Sequence, residues 1–320
     1  MRLLAGKEKA YMIVTVTLNP AVDKTGVVEA LAPGAVNRMK SVRMDPGGKG
    51  INVSKTLNML GEQSRAVGIL GGNTGVWIEE TLKSAGIVTD FVMVEHPTRT
   101  NLKLLDCISA DTTDINEPGA TVTESTLNTV KERLLAGLAK DDIVVFSGSL
   151  PPGAPAELYG EWAGMCRELG AKAFVDADGE SFRHAIGSVP YAVKPNQHEL
   201  SRLFGRELTS IEDLTICGMW LIDRGVRLAA ISLGGDGALF LSENACYRGY
   251  GLKVEAKSTV GAGDSMMAAL AFGEARGMDL KETARLAIAV SAASVMQSGS
   301  QSADPDTVRA LLERVRLEEI

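Results

Sequence analysis

Residues 12–20 read MIVTVTLNP: an apolar, β-branched run, Met12–Leu18, closed by the turn signal Asn19-Pro20. A run without apolar/polar alternation is the pattern of a strand buried on both faces, as in a parallel sheet. Outward from it, further buried-strand patterns fall at Ala66–Leu70, Ile143–Ser147, Ala173–Asp176, Tyr191–Lys194 and Leu228–Leu233. Helix-like stretches lie between several of them, at Gly50–Leu60, Gly75–Ala85, Ser125–Ala139 and Ala156–Leu169. Strand and helix alternating in this way predict βαβ units, and so an α/β fold with a mostly parallel central sheet covered on both faces.

Two segments break the alternation, 19–45 and 89–116. The second contains VMVEHPTRTNLKLLDCI, whose apolar and polar positions alternate as on a half-exposed sheet. These two segments are expected to pair as a small β lid over a core made of residues 12–18, 46–88 and 117–320. Residues 1–11 read as an N-terminal extension. The chain after Asp264 reads as three helices, and the acidic Leu317-Glu-Glu-Ile320 as a solvated end.

The 320 residues are 45% hydrophobic and 23% charged, the balance of a globular chain with a sizeable core. A formal net charge of -7 argues against a nucleic-acid or membrane-surface binder, which needs basic excess to meet phosphates or anionic lipid. Four cysteines without CxxC spacing and three histidines argue against a zinc site or a disulfide framework. Cys107, beside an apolar run, reads as a packed thiol, and His96, His184 and His198 as surface residues. No apolar run is long enough for a signal sequence or a membrane span, so a cytoplasmic protein is expected.

The chemistry concentrates at Ser258-Thr-Val-Gly-Ala-Gly-Asp264-Ser, which runs directly into the apolar helical stretch Met266–Ala275. Gly261, Ala262 and Gly263 let backbone N–H groups approach a ligand, and the positive end of the following helix points at the same place, which suits an anion. A carboxylate there is out of keeping with an anion site unless it accepts a proton from a nucleophilic hydroxyl. The plainer alternative is that Asp264 only caps the helix.

Asp45-Pro-Gly-Gly-Lys-Gly-Ile-Asn52 sets three glycines and Lys49 before a helix, a loop able to meet a sugar and its phosphate. It lacks the GxxxxGK[ST] spacing of a P-loop. Ser232-Leu-Gly-Gly-Asp-Gly237 reads as a tight turn between strands that could hold nucleotide phosphates or ribose. Val193-Lys-Pro-Asn-Gln-His-Glu199 ends a strand, and its Asn196 and Glu199 either orient Mg²⁺-bound water or cap a helix.

Taken together and in this order, TLNPAVD, GGKGIN, TRTNLKL, SGSLPPG, VKPNQHE, SLGGDGAL and STVGAGDS resemble the PfkB sugar-kinase family of the ribokinase-like fold, from about Met12 to the C-terminus. The resemblance implies a three-layer kinase that moves the γ-phosphoryl group of ATP, with Mg²⁺, to a phosphorylated ketohexose. It makes Asp264 the catalytic base and Gly261, Ala262 and Gly263 the anion hole. Asp23, Gly48, Lys49, Asn52, Arg99, Lys103 and Ser149 fall on sugar-phosphate positions. Lys194, Asn196, Ser232, Gly234, Gly235, Gly237 and Gly263 fall on nucleotide positions, with Glu199 near Mg²⁺. Ser258, Val260, Ser294 and Gly299 correspond to a monovalent-cation (K⁺) site of relatives.

Lys49, Arg99, Lys103 and Thr113–Gly119 look like the subgroup acting on fructose 1-phosphate. Kinases of tagatose 6-phosphate share much of this pattern; those of fructose 6-phosphate often carry Gly in place of Lys49. A non-catalytic phosphosugar sensor is the reading outside the enzyme class, and loss of Asp264 or its flanking glycines would be its mark. Relatives often dimerise through the lid, so a homodimer is expected.

Overall fold

Strand β1 (Ile13–Thr17) is buried along its whole length and lies deep inside a large sheet, the place its unbroken apolar pattern calls for. It pairs in parallel with β4 (Arg65–Gly71) on one side and with β8 (Ile143–Ser147) on the other. The computed structural model describes residues 11–320, so the expected extension lies outside the described residues except for Tyr11.

Beyond β4 the sheet ends at β5 (Val88–Val94). Beyond β8 it continues through β9 (Lys172–Asp176), β10 (Ala192–Val193) and β11 (Leu228–Ser232), all parallel. It then turns antiparallel through β12 (Gly237–Leu241), β13 (Cys246–Tyr250) and β14 (Leu317–Glu319), completing ten strands among the described residues. The acidic C-terminal run is thus a short edge strand on β13 rather than a free end.

Helices cover both faces. On one lie α1 (Lys49–Met59), α2 (Gly72–Ser84), α8 (Ala262–Arg276), α9 (Leu280–Val295) and α10 (Pro305–Leu312). The other carries α3 (Glu124–Leu135), α4 (Leu158–Glu168), α5 (Gly179–Gly187), α6 (Gln197–Phe204) and α7 (Ile211–Asp223). The stretch after Gly261 does form three helices, and α8 is apolar nearly all round because it is wedged between the sheet, α1 and α9. Emptying a fully buried ring position such as Phe146 or Phe272 to alanine would cost about 3–5 kcal/mol.

A second, four-stranded sheet is built from β2 (Ala21–Val28), β3 (Met39–Gly47), β6 (Arg99–Asp106) and β7 (Thr112–Asn116), in the order β3-β2-β6-β7. The expected lid boundary at residue 89 is not kept. Residues 89–94 belong to the large sheet, because Phe91 and Val92 bury themselves on β4 and its flanking helices; the small sheet takes up only at Arg99. Cys107 is exposed in the turn after β6 instead of packed. Among the described residues, no helix is long and apolar enough to cross a membrane.

Candidate active site

The carboxyl ends of β1, β8, β9 and β10 bring Thr17, Ser147, Asp176 and Lys194 side by side, the edge at which open α/β sheets bind ligands. Helices α1 and α8 start at the same edge, and the small sheet stands beside it. Together they enclose a cleft of about 1330 Å³ including its mouth, lined by Asp23, Gly48, Lys49, Asn52, Arg99, Ser149, Asp176, Lys194, Asn196, Glu199, Ser232, Gly261, Gly263 and Asp264 among others.

Asp264 is the third residue of α8, and Gly261, in the left-handed region, occupies the cap position with no side-chain cap. The carboxylate is therefore not consumed in capping. It is buried, and its Oδ2 accepts a 2.8 Å hydrogen bond from Nδ2 of Asn52 on α1. Burial, reinforced by the nearby Asp176 charge, raises its pKa to about 6, against the opposing pull of Lys49, the Asn52 bond and Lys194. A carboxyl in that range accepts a proton near neutral pH far better than an ordinary aspartate does.

Asp176 is almost fully buried between two lysines: Nζ of Lys49 donates to Oδ1 at 3.1 Å, and Nζ of Lys194 stands 3.3 Å from Oδ2. Burial pushes this carboxyl up, but Lys194 and Lys49 outweigh it and hold it below the usual range, while Asp176 raises Lys49 in turn. The aspartate thus holds two ammonium groups together on the cleft floor. Lys49 reaches it from the first residue of α1 after Gly48, whose φ of 113° and whose neighbours leave no room for a side chain: a Cβ would lie 2.8 Å from Thr17 Cγ2.

On the small-sheet side, Asp23 accepts from Asn101 Nδ2 at 3.2 Å, and burial raises its pKa. Arg99 lies at the hinge between the sheets, its guanidinium donating to the carbonyls of Glu117 at 2.7 Å, Asn19 at 3.1 Å and Pro20 at 3.4 Å. Ser149 accepts from Asn19 Nδ2 at 3.3 Å. Lys103 stands apart, in an adjoining concavity where it pairs with Asp114 at 2.8 Å.

At the start of α6, Asn196 and Glu199 form a capping box: each side chain accepts from the other's backbone N–H at 2.8 Å. Both still line the cleft, and burial raises the Glu199 carboxyl. Ser232 lines the cleft too. Gly234, Gly235 and Gly237 do not; they shape the short 3₁₀ turn between β11 and β12, where a Cβ on Gly237 would lie 2.0 Å from the Gly249 carbonyl oxygen. Ala262 also lies outside the lining. The Ser258–Val260 loop and the loop after α9 meet at Ser258 N to Val295 O, 3.1 Å, which brings Ser258, Val260, Ser294 and Gly299 into one neighbourhood beside Gly261.

Sequence reasoning missed three contributors. Asp176 closes a recognised buried strand, and a carboxylate at the carboxyl end of such a strand is a legible signal. Asn101 carries no local mark. Lys55, one turn beyond Asn52, looks like an ordinary exposed helix lysine, yet its ammonium is turned inward against Pro46 O, Asn52 Oδ1 and Ser300 O.

A parallel α/β sheet of this order, with a buried carboxylate at a helix N-terminus facing paired lysines under a small second sheet, is the three-layer architecture of a ribokinase-like sugar kinase. The chain belongs to the pfkB family of carbohydrate kinases, which it matches over residues 13–307. It is similar to the 1-phosphofructokinase of Xanthomonas campestris, 39% identical over 302 residues that cover 92% of this chain and 95% of that one. The 1-phosphofructokinase of Bacillus subtilis is 37% identical over 87% of this chain and 90% of its own. Among solved structures, phosphofructokinase-2 from Escherichia coli in complex with potassium superposes with a TM-score of 0.90 at 30% identity, covering 95% of this chain and 99% of that one.

Proposed function

We propose that this kinase phosphorylates fructose 1-phosphate with ATP to give fructose 1,6-bisphosphate, by in-line transfer with Asp264 as general base. The observation that carries the reading is the Asp264 carboxylate, buried beside the N-terminal N–H groups of α8, bonded to Asn52 and raised to about 6. The likeness to two 1-phosphofructokinases over most of the chain supports the choice of sugar.

In this scheme Asp264 takes the proton of the attacked hydroxyl, while Gly261 and Gly263, at the start of α8, offer N–H groups to the charge on the moving phosphoryl group. Lys49, Arg99 and Ser149 hold the phosphate the sugar already carries, and Asp23 with Asn101 its hydroxyls. Arg99 must exchange a carbonyl partner for phosphate oxygens, which its planar fork allows.

The cleft is lined by three cations, Lys49, Arg99 and Lys194, against five carboxylates, Asp23, Asp176, Asp178, Glu199 and Asp264. A polyphosphate entering such a lining needs added positive charge, so Mg²⁺ fits here, where Glu199 would hold it directly or through water. When bound it would neutralise charge on the phosphates. K⁺ would be held by oxygens of Ser258, Val260, Ser294 and Gly299, the neighbourhood beside Gly261.

The outer face of the small sheet exposes Val42, Met44 and Ile115, a patch suited to burial against a second copy, and we propose a homodimer through it. Sedimentation of wild type and V42E/M44E separates that from a monomer. The functional test is ADP release with MgATP and fructose 1-phosphate, fructose 6-phosphate or tagatose 6-phosphate. A more than about tenfold kcat/KM preference for fructose 1-phosphate is expected. Preference for tagatose 6-phosphate would overturn the sugar and keep the mechanism, and no turnover with any of them would point to a sensor.

A further inference from the structure

Lys55 is the one lysine of α1 whose ammonium is directed into the protein below the cleft. Its Nζ donates to Pro46 O at 3.1 Å, to Ser300 O, and to Asn52 Oδ1 at 3.4 Å. Those three acceptors sit on three separate pieces of the site. Pro46 precedes the Gly47–Gly48 approach to Lys49, Asn52 holds Asp264, and Ser300 lies in the loop after α9 that borders Val260 and Gly261. A second cation, Arg43 of β3, binds Ser298 O in the same loop.

We propose that Lys55 is a positioning residue for the catalytic base, acting through Asn52; the inference rests on Asp264 being that base. The physical reason lies in the donor and acceptor inventory. An ammonium has three donors and no acceptor, so the atom of the Asn52 amide that faces it must be Oδ1. With Oδ1 held there, Nδ2 is left facing Asp264, where it donates to Oδ2 at 2.8 Å. Without Lys55, the ionised Asp264 still selects the Nδ2 end of the amide, but Oδ1 is left without the donor that anchors it. Asn52 is then held at one end only, and the amide and the carboxylate bonded to it can swing together out of line with the hydroxyl that Asp264 must deprotonate.

The charge matters less than the anchoring. Lys55 ties Asn52 to two backbone carbonyls, one at the end of β3 and one in the loop after α9, so the amide is held from behind while its other end meets Asp264. Thr56 and Ser265, the neighbours one position along α1 and α8, join at 3.3 Å through their hydroxyls and keep the two helices in register beside this relay.

The test is a steady-state comparison of wild type, K55M, K55R, N52A, N52A/K55M and D264N on MgATP and fructose 1-phosphate, with thermal melts of each. K55M is expected to lower kcat by about 10–100-fold while KM for both substrates stays within about threefold, as for loss of alignment at the reacting atoms. K55R, which keeps a donor group on a long stem, is expected to recover most of that loss. In the N52A background, adding K55M is expected to change kcat by less than about threefold, because the relay is already broken.

An equal K55M loss with and without Asn52, or a raised KM at unchanged kcat, overturns the relay. If K55M melts too low to assay, K55Q, which removes the ammonium and keeps a polar stem, carries the same comparison against N52A/K55Q: a K55Q loss as large without Asn52 as with it overturns the proposal, as does no K55Q loss in either background, and a loss confined to the Asn52 background upholds it. D264N keeps the two ideas apart. Retained turnover in D264N removes the base and with it the proposal, whereas an inactive D264N beside a fully active K55M removes the role of Lys55 alone.

Discussion

Replacing Asp264 with asparagine should make the substrate-free protein more stable while nearly stopping turnover. The carboxyl is buried and its pKa stands at about 6 against an ordinary 3.8, so ionising it in the folded chain is disfavoured relative to the unfolded one. At 1.36 kcal/mol per pH unit, that difference amounts to about 3 kcal/mol. Below pH 3.8 both states hold the proton and the effect vanishes. Between 3.8 and 6 the folded chain keeps a proton that the unfolded chain has released, so stability falls as pH rises; above about 6 the whole penalty is present. Asparagine never ionises, and its amide oxygen still accepts from Asn52 Nδ2. Urea unfolding without ligands should therefore show D264N ahead of wild type by about 3 kcal/mol at pH 8 and about 1 kcal/mol at pH 4.5. Turnover should fall by about 10²–10⁴-fold. A D264N protein no more stable than wild type at pH 8, or a gain of the same size at both pH values, would refute the reasoning.

The acid limb of kcat/KM should rise through a midpoint near pH 6 as Asp264 loses its proton, and a profile flat from pH 5 to 8 would contradict the assignment. D176N should leave the buried Lys194 beside the part-exposed Lys49 with only the more distant Asp264 and Glu199 to balance them, lowering unfolding free energy by about 2–3 kcal/mol in urea titrations at neutral pH. G48A should lower stability by more than about 1 kcal/mol and turnover with it, because φ at 113° and the close contact with Thr17 both exclude a Cβ; a melt and a rate assay on one preparation check both.

The large sheet was legible because its parallel strands are buried on both faces and so read as unbroken apolar runs between helices; β1, β4, β8 and β9 fall close to where the pattern puts them. Periodicity failed where a boundary depended on tertiary context. Residues 89–94 alternate like a half-exposed strand, yet they close the edge of the large sheet, since β4 and the helices over it offer Phe91 and Val92 a place to bury. The site was legible where glycines and charges cluster in sequence, at Gly48–Asn52 and Gly261–Asp264. Asp176 and Lys55 were not, because their meaning comes only from what the fold brings beside them: two lysines in one case, three oxygens from separate segments in the other. Gly237 shows a glycine whose place in the sequence has a second reason, the close approach of the Gly249 backbone, which no local pattern announces.

One physical condition unites the cleft. Asp264, Asp23 and Glu199 all have raised pKa values through burial, and Thr17 Oγ1 and Ser147 Oγ are buried without hydrogen-bond partners. Burying an ionisable or unpartnered polar group costs folded-state stability, although Glu199 recovers part of that cost by capping α6 and Asp176 by pairing with two lysines. Such costs persist where substrate and metal can relieve them, since groups held ready for charge and hydroxyls reorganise little when the reaction begins. The same features predict which substitutions stabilise: those that make the cleft neutral or apolar, as D264N does, should gain stability in proportion to the preorganisation they remove. Substitutions that leave one member of a balanced set alone, as D176N does, should lose it, so the sign of the stability change reports whether a cleft residue is a poised group or the counter-charge that keeps its neighbours in place.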